Sequence, residues 1–263
     1  MDSLSRFAGK PGGILVSVAQ IAVVTGGTKG IGRSLTRRLV SMNHHVIAIY
    51  RSDEESAHET ALEFGERVTT QRVDVADPDA VCRFAQELVA RRGAPNVLVN
   101  NAAIYLDGPF REMSFSDWDR IIATNLSGPF YMSRALAPAM LDLPDGASII
   151  NDGATTAIRP RRNGANFCAS KAGLLHLTKC LALELAPSIR VNSLIPGMID
   201  TEEMRTRYRT HDPDILAALL DEIPQGRIGA TDEMASAMEY LISSAGRYVT
   251  GQKLIVDGGQ FMW

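Results

Sequence analysis

The sequence predicts an α/β protein: a doubly wound parallel sheet of about seven strands with helices on both faces. Two observations predict it. Short apolar, β-branched runs alternate along the chain with longer stretches of helical periodicity. The first of these runs ends in a glycine-rich turn that opens directly into a helix.

In chain order, IAVVTG reads as a strand and RSLTRRLVSM as a helix, followed by strand HVIAIY and helix SAHETALEFG. VTTQRVDV is a third strand, DAVCRFAQELVARRG a helix and PNVLVNN a fourth strand. SDWDRIIATNLSGPFYMSRALAPAML reads as one long helix, ASIIND as a fifth strand and NFCASKAGLLHLTKCLALELA as a second long helix. IRVNSLIP and QKLIVDGG are the last two strands. Residues 1–18 read as an irregular tail, and 19–263 as a single domain. The segment at about 200–225 is the least sheet-like and reads as an insertion of the kind that forms a substrate lid.

The 263 residues are 45% hydrophobic and 22% charged, with a formal net charge of −3. Length and apolar content suit one large core. The charge gives no reason to expect nucleic acid or an anionic membrane as partner. No apolar run is long enough to span a bilayer, and MDSLSRFAGKPGG lacks a signal-peptide core. The three cysteines, Cys82, Cys168 and Cys180, show no paired spacing, so neither a disulfide framework nor a metal site is expected. A reducing, cytoplasmic location follows as the expectation.

The turn after the first strand supplies Gly26, Thr28, Lys29, Gly30, Ile31 and Gly32. Glycines there allow positive φ and let backbone N–H groups approach a pyrophosphate at a helix N-terminus. An NAD site typically ends its second strand in Asp or Glu. Here Arg51 and Ser52 stand at that end, and Asp53 and Glu54 come one or two places later. With Lys29, Arg51 offers a second cation to a 2′-phosphate, so NADP(H) is the expected cofactor.

With these motifs the chain resembles the short-chain dehydrogenase/reductase family over nearly its full length. TGGTKGIG looks like that family's cofactor turn, Asp74-Val75 like its adenine-contacting pair, and Asn100-Asn101-Ala102-Ala103 like its NNAG motif. Asn125 resembles the family's helix asparagine. Arg190 to Gly197, with Ile199 and Thr201 beyond, resembles the strand that closes over the nicotinamide; Pro196 and Gly197 end it. Val256-Asp257-Gly258-Gly259 looks like the end of the last strand. The resemblance implies a Rossmann fold and a homodimer or homotetramer paired through the two long helices. The apolar end QFMW is a further surface for a partner chain to bury.

The family's carbonyl chemistry uses Tyr-x-x-x-Lys on one helix face with a serine upstream. The lysine holds the ribose, the tyrosine donates a proton and the serine hydrogen-bonds the carbonyl oxygen. Lys171 is present, but the tyrosine position holds Phe167 and the serine position Ala154. Losing a placed general acid typically costs roughly 10²–10⁴ in rate. The expected activity is therefore NADPH-dependent reduction of an activated C=C or C=N bond, not of a simple ketone. A non-redox isomerase, cyclase or dehydratase, or an inactive NADP(H)-binding protein, are the alternatives. Candidate catalytic residues are Lys171, Asn125, Asp152 as a carboxyl with raised pKa, and Tyr105 as a substitute phenol; Thr155 and Thr156 stand just past Ala154. Arg111, Arg159, Arg161, Arg162, Arg205, Arg207 and Arg209 suggest a carboxylate- or CoA-bearing substrate.

Overall fold

The structure is a computed structural model and describes residues 20–262. The expected tail at 1–18 lies outside the described residues, as does Trp263. Seven parallel strands form one sheet: β1 (Gln20–Thr25), β2 (His44–Tyr50), β3 (Val68–Arg72), β4 (Val97–Asn100), β5 (Ala147–Asp152), β6 (Ile189–Pro196) and β7 (Lys253–Val256). Their spatial order is β3-β2-β1-β4-β5-β6-β7, so the direction of winding reverses between β1 and β4.

The strands are apolar on both faces because both are covered. Along β1, Val23 joins a core with Ile47, Leu98, Ile149 and Val191. Ala22 and Val24 point the other way, into a core with Val46, Val99 and Leu194. The first core is closed by α3 (Pro78–Arg92), α5 (Gly128–Leu141) and α6 (Ala165–Leu185), through Phe84, Met132, Leu136 and Ala182. The second is closed by α1 (Gly30–Ser41) and α9 (Thr231–Ile242), through Leu35, Leu39, Met234, Met238 and Leu241.

At the C-terminal edge the strand residues turn polar. Thr25, Asn100, Asn151 and Ser193 stand in one register across β1, β4, β5 and β6. Thr25 Oγ1 accepts from the backbone N–H groups of Asn101 and Ala102, both at 3.0 Å. Asn100 Nδ2 donates to Asn151 Oδ1 (2.9 Å), and Asn151 Nδ2 to Thr178 Oγ1 on α6 (3.0 Å). Buried polar groups keep their partners, so this row sets where each strand leaves the sheet.

Three elements differ from the sequence expectation. The helix expected over 116–141 is α4 (Phe115–Ile122), a π turn (Ala123–Ser127) and α5. The 200–225 segment is two short helices, α7 (Glu202–Tyr208) and α8 (Pro213–Asp221), capped by Thr201 and by Asp212 with Pro213. α9 has no counterpart in the expectation. Its apolar set Met234, Ala235, Met238 and Leu241 falls on one helical face. Ser34 on α1 donates to Asp232 at its start (2.6 Å). Arg190 on β6 holds its other end, donating to the carbonyls of Leu241 (2.5 Å), Ile242 (3.2 Å), Gly246 (3.0 Å) and Val249 (3.3 Å). Among the described residues no helix is long and apolar enough to cross a membrane, and no cluster of His, Cys, Asp or Glu is placed to hold a metal.

Arg190→Met keeps the aliphatic stem but orphans these carbonyls. A loss of about 2–3 kcal/mol is expected for charge-assisted bonds of this kind. Thermal unfolding should then start several degrees lower, at about 2–4 °C per kcal/mol for a chain of this size. A midpoint unchanged from the parent would show that Arg190 does not hold α9.

Candidate functional site

The reversal of winding opens a crevice over the C-terminal ends of β1 and β4. A cavity of about 1040 Å³ fills it and runs along the strand ends under α7. Every residue expected to touch a dinucleotide lines this cavity: the glycine turn, Arg51, Ser52, Asp74, Val75, Asn101 to Ala103, Lys171, Pro196, Gly197, Ile199 and Thr201.

The glycine turn fits a diphosphate. Gly26 and Gly30 have φ of +63° and +53°. A Cβ on Gly32 would meet Gly26 O at 2.0 Å and Asn101 Nδ2 at 2.6 Å. Asn101 holds the turn by donating to Thr25 O (2.9 Å) and Gly26 O (3.1 Å). No acidic residue stands in the first turn of α1, and Lys29 at its N-cap provides no side-chain cap, which favours an anion there. Lys29 Nζ donates to Asp53 (3.2 Å), which also caps α2 (Glu54–Phe64) through Ser56 N. That backbone bond, together with Lys29, keeps the Asp53 carboxyl below its usual range. A Cβ on Gly30 would lie 3.5 Å from Thr201 Cγ2, so the residue that caps α7 stands over the turn.

At the other end the walls come from β5 and α6. Lys171 is 2% exposed and donates from Nζ to the backbone carbonyl of Asp152 (2.6 Å). Burial lowers its pKa, and the Asp152 charge works against that shift. Asp152 is 8% exposed, lines the cavity, and its Oδ1 has no hydrogen-bond partner among the described residues. Burial raises its pKa to about 7, with Lys171 opposing. Thr156 Oγ1 is a second buried atom in the same wall without a partner. Ala154, Thr155 and Phe167 complete it.

Phe167 stacks on Tyr105, with centroids 4.4 Å apart. Tyr105 as a residue is 37% exposed, but loss of water around its hydroxyl, with the fields of Glu203 and Asp152, pushes its pKa up. Its loop is fixed on both sides. Asn125, in the π turn, accepts from Ile104 N and donates to Ile104 O, both at 2.9 Å. Asn166 donates to Leu106 O (2.9 Å). Asn125 is buried and is not among the residues lining the cavity.

The arginines divide. Arg161 donates to Asp107 Oδ1 (2.6 Å) and Arg207, from α7, to Asp107 Oδ2 (2.5 Å). Arg207 also lies 4.1 Å from the Tyr105 ring centroid, covering the aromatic stack. Arg205 pairs with Asp200. Arg159 lines the cavity against the Phe261 ring, whereas Arg111, Arg162 and Arg209 are not in its wall. Asp107 escaped the sequence reading; its signal was an acid in the loop after β4, opposite the arginine-rich segments. Of QFMW, Gln260 and Phe261 form part of this chain's own cavity wall.

A glycine turn at a winding reversal, with a buried lysine beside the strand ends, defines a dinucleotide-binding α/β protein. Known proteins give that class a family. The family profile described as enoyl-(acyl-carrier-protein) reductase matches residues 26–260. A 3beta-hydroxysteroid dehydrogenase 1 of Eggerthella lenta is 37% identical over 245 residues, 92% of this chain and 93% of the relative. The 3-oxoacyl-(acyl-carrier-protein) reductase FabG of Salmonella typhimurium is 36% identical over 244 residues, 92% of this chain and 98% of that one. Among solved structures, a short-chain dehydrogenase/reductase from Brucella melitensis superposes with TM-score 0.85 at 31% identity, covering 93% of this chain and 98% of that one. A gluconate 5-dehydrogenase from Burkholderia cenocepacia, solved with NADP and tartrate, gives 0.84 at 31%, covering 92% and 94%. The chain belongs to the short-chain dehydrogenase/reductase family.

Asp107→Asn should loosen α7 from the loop after β4. Partly exposed ion pairs of this kind contribute up to about 1 kcal/mol, roughly fivefold in an opening equilibrium. Deuterium uptake at residues 202–221 should rise accordingly. Uptake equal to the parent's would show that the Asp107–Arg207 pair does not hold α7.

Proposed function

We propose that the chain is an NADP(H)-dependent reductase of an activated double bond, C=C or C=N, with Asp152 as its proton donor. The observation that carries this reading is the buried, unpartnered Asp152 carboxyl in the wall that also contains Phe167 and Ala154. Neither a phenyl ring nor a methyl group donates a proton. A general acid works best with a pKa near the working pH. Asp152, at about 7, meets that condition; Tyr105, raised from the ordinary phenol value, does not. The bound cofactor supplies hydride. Lys29, Arg51 and Ser52 would hold its 2′-phosphate, the glycine turn its diphosphate, and Lys171 its nicotinamide ribose.

Conjugated double bonds and imines suit such a site because neither leaves a localised alkoxide that must be quenched at once. The relatives support an oxidoreductase: their names cover a 3-oxoacyl reductase and a hydroxysteroid dehydrogenase, and the matched profile names enoyl reduction. Exposed Phe115, Phe130 and Leu183 on α4, α5 and α6 suit a face shared with a second copy.

NADPH consumption across enones, enoyl thioesters and cyclic imines tests the reading. Tight NADPH binding with no consumption on any of them would overturn it. Enone turnover should fall above about pH 7 as Asp152 ionises, and Asp152→Asn should lose that limb together with roughly 10²–10⁴ in kcat. Ala154→Ser with Phe167→Tyr should raise ketone reduction by a comparable factor; no gain would remove the argument from the missing hydroxyls. Lys29→Ala or Arg51→Ala should raise KM for NADPH about tenfold or more, as a lost charge-assisted bond of about 1.5–3 kcal/mol implies. KM for NADH should hardly move.

A further inference from the structure

We propose that the substrate end of the cavity is built for a cation: it takes a protonated imine, with the Asp152 carboxylate as counter-ion against the hydroxyl-free wall of Phe167 and Ala154. This rests on the reductase reading and chooses between its two double bonds.

The first argument is an unmet hydrogen bond. Asp152 Oδ1 is buried without a partner, and Lys171 spends its contact on the Asp152 backbone carbonyl. A buried acceptor left open calls for a donor. The N–H of an iminium is such a donor and brings the opposite charge. An enone offers only acceptors, and its reduction concentrates negative charge on oxygen. That charge would develop beside a carboxyl, with no hydroxyl at 154 or 167 to receive it and, among the described residues, only the buried Thr156 hydroxyl unpartnered in that wall.

The second argument is the charge around the site. Asp107 takes both Arg161 and Arg207, so the arginines nearest the aromatic stack already have carboxylate partners. Glu202, Glu203 and Glu222 line the same cavity, and among the described residues they form no ion pair. Arg159 lies over the Phe261 ring and, among the described residues, has no carboxylate partner. Counted together, Arg159, Arg161, Arg207 and Lys171 are matched by Asp107, Glu202, Glu203 and Glu222, so the unmatched charge is the Asp152 carboxylate itself, which suits a cationic ligand better than the carboxylate or CoA group that the sequence suggests.

The chemistry balances without a second acid. The neutral Asp152 carboxyl gives its proton to the imine nitrogen, leaving a carboxylate facing an iminium. The iminium carbon gains hydride, the C=N π pair becomes a lone pair on nitrogen, and reduced nicotinamide becomes oxidised. The product is a neutral amine, and Asp152 takes a proton back from water. The positive charge stabilised by the carboxylate disappears as the C–H bond forms, so no proton need arrive at that moment.

Lys171 on α6 and Tyr105 after β4 are the groups whose charges couple to Asp152, and Arg159, Arg161, Glu202, Glu203, Arg207, Tyr208 and Glu222 share the cavity wall with it. With N-methyl-3,4-dihydroisoquinolinium, whose charge is fixed, turnover by the NADPH complex should rise as pH passes about 7. The rate with 2-cyclohexenone should fall over the same range. The NADP⁺ complex should bind 1,2,3,4-tetrahydroisoquinoline at least tenfold more tightly than its neutral oxygen isostere, isochroman. Asp152→Asn should abolish that preference while leaving isochroman binding unchanged; Asp152→Ser serves if the asparagine variant does not fold. Reduction of the enone but not of 3,4-dihydroisoquinoline or its N-methyl salt would overturn the cationic substrate and leave the reductase standing. Amine binding unaffected by loss of the carboxyl would do the same. No NADPH consumption with any of the three would overturn both.

Discussion

Where the winding of a parallel sheet reverses, the connections that leave the two adjacent strands turn to opposite faces, and the strand ends on either side remain open. The rest of this molecule depends on that constraint at β1 and β4. The glycine turn leaves β1 on one side of the gap, and the loop carrying Tyr105 leaves β4 on the other. β5 and β6 continue the edge, with Asp152 at the end of one and Pro196-Gly197 at the end of the other. The polar row Thr25, Asn100, Asn151 and Ser193 lies just beneath, where the apolar core gives way to the cavity floor.

Above that floor, the chemistry is set by what surrounds two ionisable groups. Lys171 and Asp152 are both buried, and burial works in opposite senses on them, disfavouring the ammonium of one and the carboxylate of the other. Their contact runs through a backbone carbonyl, which anchors the lysine yet leaves the carboxyl unneutralised. A carboxyl that would be an ordinary anion at the surface thereby has its pKa raised, beside a wall in which Ala154 and Phe167 carry no hydroxyl.

The strands, the glycine turn and the residues around the cavity were legible because each has a local cause: β-branched runs, positive-φ glycines, a helix opening directly from a turn. The breaks were not. Residues 116–141 have continuous helical periodicity, and the π turn arises because Asn125 must reach both backbone groups of Ile104, a contact 21 residues away. α9 is short, and its face matches a partner, α1, almost two hundred residues earlier. The mouth arginines could be counted in the sequence, but their charge balance could not, since a single Asp107 gathers two of them from segments 54 and 100 residues distant. Asp152 could be named as a candidate from its strand end. That its oxygen lacks a partner is a property of the packing alone.

Thr201 ties the two ends of the cavity together. Its hydroxyl starts the first helix of the covering segment, and its methyl stands over Gly30. A side chain bulkier than threonine at 201 would crowd the glycine turn and the root of α7 at once, so one position answers to the shape of both.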